Sequence, residues 1–319
     1  MTRIETGAAM NQSSQRRRFL ALAAAVPMLG RAAGWADSAH AADAVGWLKP
    51  LGPPTLVTPS RGVVHAVGFS SDGTQIVADV DKSIHFIGTA SGQPARGPFQ
   101  WGRAATDRVL FAPASSRAFV SSWADGRGEL AMLDWAAEKK ATLMPLTKEV
   151  CALAVSADGA RLALGFFDGR FQLVDAVRGT ALLGPVNAYA GAMEPEREGK
   201  VEIYALAFSA DGRRLALAGA DPALRFFDAA NGKPIGTPLR DEATGLESVV
   251  DHLAFTADGK RLLVATGDFC LHALDVQAGR AAAPYLQMTP GATAMALARD
   301  GRHLATGHSD GELRRWALT

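Results

Sequence analysis

The stretch YALAFSADGRRLALAGADPALRFFD, residues 204–228, belongs to a pattern that occurs six times along the chain. The other copies begin at Val64, Arg108, Cys151, Asp251 and Ala292. Intervals of roughly 40 to 50 residues are typical of propeller blades, whereas the helical repeats are about 33 to 34 residues long. The spacing therefore predicts six repeated units of the blade type.

Each copy consists of short apolar runs separated by turn residues. In residues 204–228, Leu206 and Phe208 alternate with alanines, and Asp211-Gly212 separates this run from a second alternating run. A period of two with Asp-Gly between the runs is a hairpin signal. Large residues on one face and alanine on the other suit a sheet that is buried on both faces. We therefore predict an all-β fold, a six-bladed β-propeller.

A Gly-Pro signature, or a weaker Ala-Pro version, follows the third run of four copies. Its positions are Gly97-Pro98, Gly184-Pro185, Gly236-Thr237-Pro238 and Ala283-Pro284. Proline cannot donate a ladder hydrogen bond, so these segments are predicted to be the outermost strands of their blades. The signature also occurs in residues 51–56, before the first copy, and does not follow the last copy. We expect this N-terminal segment to supply the outer strand of the sixth blade and to close the ring.

The repeat resembles the WD40 family in two recurrent features. The core Phe-Ser-x-Asp-Gly occurs at residues 69–73 and 208–212, with a close variant at 255–259. Third strands end in an apolar residue and Asp, as in Phe227-Asp228. Trp316 alone occupies the family's tryptophan position, and no Gly-His pair precedes a first strand. The resemblance implies a divergent propeller that binds through one face, with a YVTN-like or TolB-like propeller as the alternative.

The N-terminal region has the features of an export signal. Arg16-Arg17 precedes a weakly apolar, alanine-rich run, and Ala39-His40-Ala41 has the small-residue pattern of a cleavage site. The paired arginines resemble a twin-arginine signal, with ordinary Sec export as the alternative. The run is too short for a membrane span, which needs about 20 residues. We predict a signal peptide at residues 1–41, a propeller at residues 42–319, and a periplasmic or secreted location.

The net charge and the two cysteines limit which partners and which covalent cross-links the sequence predicts. Cleavage would remove five basic and two acidic residues, so a net charge of +1 would become −2. A nearly neutral protein has no electrostatic basis for binding nucleic acid or an anionic membrane. We expect a protein or peptide partner, and a monomer is favoured. Cys151 and Cys270 fall in blades that are not neighbours, so buried free thiols are expected rather than a disulfide.

The histidines and aspartates that could act in catalysis or metal binding mostly occupy recurrent positions of the repeat. His85 and His272 occupy a third-strand position that is Gln172 or Arg225 in other copies, so they are interpreted as substitutions within the repeat. The aspartates before glycine, such as Asp211, are interpreted as turn residues. The motifs C-x-x-C-H, H-E-x-x-H and G-x-S-x-G are absent from the sequence. The sequence therefore predicts no catalytic residue, no metal site and no cofactor.

One face of the propeller is the candidate partner-binding site. It carries the turns between second and third strands and the connections between blades, two of which are long, at residues 187–200 and 241–248. Insertions on one face of a repeat array often line its binding surface, although a solvated loop is the alternative. Aromatic side chains at binding surfaces are enriched among hot spots, although they could equally cap a blade edge. The candidate residues are Trp123, Phe167, Phe269, His308, Glu194, Glu196 and Arg197.

These observations favour a non-catalytic, periplasmic protein-interaction scaffold of the WD40-repeat type. One alternative is a cofactor-binding or hydrolytic, lactonase-like propeller, which a twin-arginine signal would favour because that pathway exports folded proteins. Another is a carbohydrate or cell-wall binder that uses Trp123, Phe167 and Phe269 as stacking platforms.

Overall fold

The structure is a computed structural model that describes residues 46–58, 62–80, 83–100, 108–113, 115–137, 139–190, 202–219, 223–240, 246 and 248–319. The predicted signal peptide, residues 1–41, lies outside these ranges, as do Glu194, Glu196 and Arg197. Every regular element in the described ranges is a β-strand, and among these residues no helix is long and apolar enough to cross a membrane.

The described strands form six antiparallel sheets, which confirms the predicted six-bladed propeller. The described part of the chain starts with two short strands, β1 (Leu48–Pro50) and β2 (Thr55–Leu56). Blade 1 follows with β3 (Val64–Phe69), β4 (Gln75–Val80), β5 (Ser83–Gly88) and β6 (Pro94–Gln100). Blade 2 contains β7 (Arg108–Phe111), β8 (Arg117–Ala124), β9 (Arg127–Asp134) and β10 (Lys139–Leu146). Blade 3 contains β11 (Val150–Val155), β12 (Arg161–Phe166), β13 (Arg170–Asp175) and β14 (Ala181–Asn187).

The remaining three blades repeat this order with changes at the outer edge. Blade 4 contains β15 (Ile203–Phe208), β16 (Arg214–Gly219) and β17 (Arg225–Asp228). Blade 5 contains β18 (Val250–Phe255), β19 (Arg261–Thr266), β20 (Cys270–Asp275), β21 (Arg280–Ala281) and β22 (Leu286–Gln287). Blade 6 contains β23 (Ala292–Leu297), β24 (His303–His308) and β25 (Glu312–Leu318).

The Asp-Gly turns join the first and second strands, as the hairpin signal predicts. In blade 4 the Ser209 hydroxyl donates to Asp211 Oδ1 at 2.6 Å, and the Arg213 amide donates to the same oxygen at 3.0 Å. Gly212 has φ +67°, a left-handed conformation that glycine adopts without the steric cost of a Cβ. The hydroxyl and amide bonds hold the pKa of Asp211 below its usual value. The carboxylate thus stabilises the turn.

The hydrophobic core is divided into layers between neighbouring blades. In blade 4, Leu206 and Leu217 pack towards blade 3, whereas Ala205 and Ala216 lie against the large side chains of blade 5. The described residues form one such cluster at each of the six junctions between blades. Alternation of large and small residues along a strand therefore fits each sheet between two others, because side chains alternate between the faces of a strand.

The first and last strands of the described residues meet in blade 6. Lys49 pairs with Ala317, and Thr55 pairs with Leu313, so β1 and β2 both lie along β25. The first strands of successive blades contact one another in order, and β23 contacts β3. The Arg315 guanidinium donates through Nη1 to the carbonyl oxygens of Thr89 at 2.9 Å and Ala90 at 2.8 Å. Blade 6 is thus tied to blade 1 through both strand contacts and a buried cation.

Proline interrupts several outer strands rather than merely marking them. In blade 5, β21 and β22 lie on either side of Ala283-Pro284, and β1 and β2 lie on either side of Gly52-Pro53-Pro54. In blade 4 the outer segment forms two isolated bridges, Leu224 with Leu239 and Phe227 with Pro234. The edge position is as predicted, but the missing N–H of proline breaks the ladder into short pieces.

Candidate functional site

The connection face is defined here as the face that carries the turns from second to third strands and the connections from one blade to the next. It holds the turns after β8, β12, β19 and β24, in blades 2, 3, 5 and 6. The first residues of the innermost strands approach the same face, because each first strand pairs with the end of a second strand, as Val64 does with Val80. Side chains at these positions are the candidate site.

Trp123 lies in β8 just before the Asp125-Gly126 turn of blade 2. Both turn residues have positive φ, 49° and 75°, which is the conformation that Asp-Gly favours in a tight hairpin. The indole lies over Gly128, where a Cβ would come within 2.5 Å of Trp123 Cε3. The ring also packs against the cluster between blades 2 and 3 and is half-buried. One part of the indole supports the blade, and the rest is accessible.

Phe167 begins the corresponding turn of blade 3 and is also half-buried. Lys148, in the connection that enters this blade, forms an ion pair with Asp168 next to Phe167. Arg170 Nε lies 3.9 Å from Asp168 Oδ2, and both cationic side chains are exposed. This turn therefore presents an aromatic ring beside two cations, one of which fixes the connection to the turn.

Phe269 occupies a backbone position that glycine occupies in other blades. Its φ is +70°, and the equivalent Gly169 and Gly311 have φ +77° and +82°. Positive φ is rare for a bulky residue and marks strain of about 1 to 3 kcal/mol. The half-buried ring lies against Gly291 of the next connection, where a Cβ would come within 2.3 Å of Phe269 Cδ1. The turn keeps a phenylalanine although its backbone conformation favours glycine.

His308 ends β24 at the equivalent turn of blade 6, but its side chain is completely buried. A chain of hydrogen bonds runs through it: the Trp316 indole donates to Thr306 Oγ1 at 3.0 Å, and Thr306 Oγ1 lies 2.9 Å from His308 Nε2. His308 Nδ1 lies 2.8 Å from the carbonyl oxygen of Pro290. Burial lowers the pKa of His308 to about 4. A neutral imidazole satisfies the whole chain, and the side chain does not reach the surface of the connection face.

A β-bulge recurs near the start of the first strand in five described blades. The bulged residues are His65, Cys151, Tyr204, Asp251 and Thr293. Bulges redirect side chains and are frequent next to functional sites. Thr293 Oγ1 donates to the carbonyl oxygen of Val64 at 2.7 Å, so this member links blades 6 and 1. The five residues differ in chemistry although they share one position, which a regular period of two does not reveal.

Blade 5 brings together three potential metal ligands that the sequence analysis treated separately. One ligand atom each from Asp268, Cys270 and His272 lies within 4.8 Å of the others, and no second group of this kind occurs among the described residues. Burial, aided by the Asp268 carboxylate, raises the pKa of Cys270 to about 11. Burial also lowers the pKa of His272. Alternation along β20 places Cys270 and His272 on one face of the strand, because every second residue faces the same side. Asp268 lies in the preceding turn, so strand alternation alone does not predict its place in the group.

The two cysteines stand in different parts of the ring, as expected. Cys151 lies in β11 of blade 3 and Cys270 begins β20 of blade 5, and both are buried free thiols.

The chain matches no model of a known protein family. No curated protein is significantly similar to it in sequence. The propeller architecture is therefore established by the six sheets, whereas the WD40 resemblance rests on the repeat residues themselves.

Proposed function

We propose that the chain is a non-catalytic interaction module of the WD40 type that binds a protein or peptide partner in the periplasm through the connection face. The observation that carries the proposal is a half-buried aromatic ring on the turns of three blades at that one face: Trp123, Phe167 and Phe269. Rings held in this way offer a large contact area and lose little conformational freedom on binding, which is why they are common hot spots.

Phe269 gives the strongest support. Glycine at this position would relieve the backbone, as Gly169 and Gly311 do in their own turns. Strained backbone conformations concentrate at functional sites, where the surrounding structure maintains them. A phenylalanine at φ +70° is explained if its ring, besides packing on Gly291, is needed at the connection face.

Polar groups surround these rings. Lys148, Arg170 and Asp251 are exposed on or next to the connection face. Protein interfaces typically combine an aromatic centre with a polar rim, and a rim of mixed charge selects among partners. This arrangement favours a protein or peptide partner over an apolar small molecule.

The recurrent aspartates support a non-catalytic role. Asp72 accepts hydrogen bonds from the Ser70 hydroxyl at 2.6 Å and from the Thr74 amide at 3.0 Å. These bonds, led by the Ser70 hydroxyl, lower the pKa of Asp72 to about 2. Asp158, Asp211 and Asp258 form the same bonds in their own turns. These carboxylates stabilise the hairpins, and this structural role is sufficient to explain why aspartate recurs at the position.

Two further observations support the proposed WD40 type and the proposed periplasmic location. Trp316, at the WD40 tryptophan position, is held by the buried chain through Thr306 and His308. The sequence signal at residues 1–41, with Arg16-Arg17 ahead of an apolar run, supports export of the chain.

The proposal can be tested by affinity capture from periplasmic extract of the source cells, followed by binding measurements with the purified partner. The test variant combines Trp123→Ala, Phe167→Ala and Phe269→Gly. The control is Val177→Ser, which removes an apolar side chain that is 58% exposed in the turn between β13 and β14, on the opposite face. We expect the triple variant to lose the partner and the control to retain it.

Equal binding of the partner by the wild-type protein and the triple variant would exclude the connection face as the binding site. Cosedimentation with purified murein that the triple variant loses would favour the cell-wall binder instead. Turnover of a defined small molecule by the partner-free protein would favour the enzyme.

Export can be tested separately with an Arg16→Lys, Arg17→Lys variant. We expect this variant to accumulate in the cytoplasm, while a variant with Arg3→Lys is exported normally. Normal export of both variants would point to the Sec pathway.

A further inference from the structure

The third strand of blade 5 differs from the equivalent strands in how its polar side chains are satisfied. In blade 1 the first and third residues of the strand are Ser83 and His85, whose Oγ and Nε2 atoms lie 3.2 Å apart. In blade 6 the same two positions are Glu312 and Arg314, joined by a hydrogen bond of 3.1 Å between Nη2 and Oε2. Each pair gives its longer side chain one hydrogen-bond partner within the strand, although Arg314 Nη1 is buried without a partner among the described residues.

In blade 5 the two positions are Cys270 and His272, and His272 Nε2 does not form the corresponding hydrogen bond within the strand. His272 is 6% exposed, and its Nε2 atom is buried without a hydrogen-bond partner among the described residues. Buried polar atoms are nearly always satisfied, so each exception calls for an explanation such as an ion. Arg314 Nη1 and Arg315 Nε are also buried without a partner, but among the described residues it is His272 that lies beside two other potential metal ligands. A thiol is a weak hydrogen-bonding group and a poor substitute for Ser83 or Glu312.

The missing partner is explained by the surroundings of His272. A nitrogen of its ring, the Cys270 sulfur and an Asp268 carboxylate oxygen all lie within 4.8 Å of one another. In a tetrahedral zinc site with bonds of about 2.0 to 2.3 Å, neighbouring ligand atoms are about 3.3 to 3.7 Å apart. The three side chains would need to approach one another by about 1 Å, which rotation about side-chain bonds can provide.

From this arrangement we propose that Asp268, Cys270 and His272 bind a divalent transition-metal ion of the zinc type. A thiolate, an imidazole and a carboxylate are the three ligand classes that zinc uses, and the sulfur ligand disfavours magnesium and calcium. As the metal–sulfur bond forms, the thiol proton of Cys270 is released to solvent. Three protein ligands leave a fourth position for water or for a group from a partner.

Neighbouring residues support the site. The Thr266 hydroxyl donates to Asp268 Oδ1 at 2.5 Å, which orients the carboxylate. The Tyr285 ring lies over His272 with the ring centroids 5.3 Å apart. A hydrogen bond to a ligand, such as that from Thr266 to Asp268, orients the ligand and strengthens metal binding. Asp268 is exposed, so the ion can enter from the connection face beside Phe269.

The test uses the whole chain, purified under reducing conditions and freed of metal, and titrated with Co²⁺ as a spectroscopic probe and then with Zn²⁺. We expect one Co²⁺ per chain and a thiolate-to-cobalt charge-transfer band in the near ultraviolet, which one equivalent of Zn²⁺ displaces. Absence of a saturable band in the folded wild-type protein would overturn the proposal.

The variants identify the ligands. Cys270→Ser should abolish the charge-transfer band, and Asp268→Asn and His272→Gln should each weaken Co²⁺ binding by at least about tenfold. The matched controls are Cys151→Ser, the other buried cysteine, and His85→Gln, the same strand position in blade 1. Both controls should bind as the wild-type protein does.

Loss of the band in Cys151→Ser with retention in Cys270→Ser would place the metal elsewhere and contradict the proposal. Asp268 lies in an exposed turn, so Asp268→Asn should remain folded, and unchanged Co²⁺ affinity in this variant would exclude the three-ligand site.

Discussion

The third strands of blades 5 and 6, with the turns before them, share one register but differ in how their side chains are used. In blade 6, Gly311 occupies the turn position with positive φ. Arg314, at the position of His272, donates through Nη2 to the Thr289 carbonyl oxygen at 2.9 Å and to Glu312 Oε2 at 3.1 Å, while its Nη1 has no partner among the described residues. In blade 5, Phe269 occupies that position and His272 Nε2 has no partner among the described residues. The comparison separates a strand whose long polar side chain bonds to its own strand and to the preceding connection from one whose thiol and imidazole form no such pair.

The difference has a physical basis in where the two strands lie. Blade 6 contains the junction between the first and last strands of the described residues, so β25 pairs with β1 and β2, and Arg315 reaches blade 1. Arg314 and Arg315 of β25 each donate to carbonyl oxygens of neighbouring segments, although Arg314 Nη1 and Arg315 Nε are buried without a partner among the described residues. Blade 5 does not contain this junction, so its strained turn and the grouping of Asp268, Cys270 and His272 point to binding instead.

The largest expected effect comes from the blade 6 tryptophan. Trp316→Ala should lower the free energy of unfolding by about 3 to 5 kcal/mol, because it leaves a cavity in the buried core. It also leaves Thr306 Oγ1 without its indole donor. The matched variant is Leu274→Ala at the same strand position in blade 5, where we expect a smaller loss. Denaturant-induced unfolding measures both, and a smaller effect for Trp316→Ala would contradict the closing role of blade 6.

The pH dependence of stability gives the second effect. Burial and, secondarily, the positive charge of Arg314 lower the pKa of His308 from its ordinary value of 6.5 to about 4. The unfolded chain therefore binds the proton more readily, so the contribution of His308 is complete above pH 6.5 and declines as the pH falls to about 4. The total decline is about 3 kcal/mol.

His308→Gln keeps polar groups at this site but does not titrate. The wild-type free energy of unfolding should therefore fall more steeply between pH 6.5 and 4 than that of the variant. Parallel curves for the two proteins would show that His308 is not held neutral by the fold.

Metal binding gives the third effect, on the blade 5 side of the comparison. Zn²⁺ at one hundred times its dissociation constant should raise the free energy of unfolding by about 2.7 kcal/mol if it binds the folded state alone. His272→Gln should remove this stabilisation, whereas Arg314→Gln, at the same position in blade 6, should retain it. Equal stabilisation of the wild-type protein and His272→Gln by Zn²⁺ would show that the metal does not bind in blade 5.

The smallest effect concerns the two turns. Phe269→Gly relieves strain but loses the packing of the ring on Gly291 and adds chain entropy, so stability should change by less than about 1 kcal/mol. Gly311→Ala places a Cβ at φ +82° and should destabilise by about 1 to 2 kcal/mol. Thermal unfolding distinguishes them, and a large loss in Phe269→Gly would mean that the phenylalanine is structural.

The sequence predicted the fold well because its strongest signals are local and repeated. The Asp-Gly turn at residues 211–212 and the alternation of Leu206 and Phe208 with alanine are matched by the structure. The pairing of Thr55 and Leu56 with β25 also agrees with expectation, because the Gly-Pro signature is displaced to the N-terminus.

The site was harder to predict because it depends on departures from the repeat. His308 belongs to an apparently exposed turn, and its burial follows from the Pro290 carbonyl oxygen, which lies in another connection. The bulge at Cys151 shifts the register by one residue, which a pattern of period two cannot show. Asp268, Cys270 and His272 form a group because the turn brings Asp268 back to the start of β20.

Residue order alone determined the number of blades, the position of each hairpin and the place of Thr55 and Leu56 beside β25, since these depend on spacing, side-chain alternation and turn chemistry. The pairing of Leu48–Pro50 with β25 lies outside the predicted segment and came only from the structure. The tertiary structure decided which side chains are buried, which are strained and which lack partners, as at His308, Phe269 and His272. Those properties depend on atoms contributed by neighbouring strands and connections, and no local pattern contains that information.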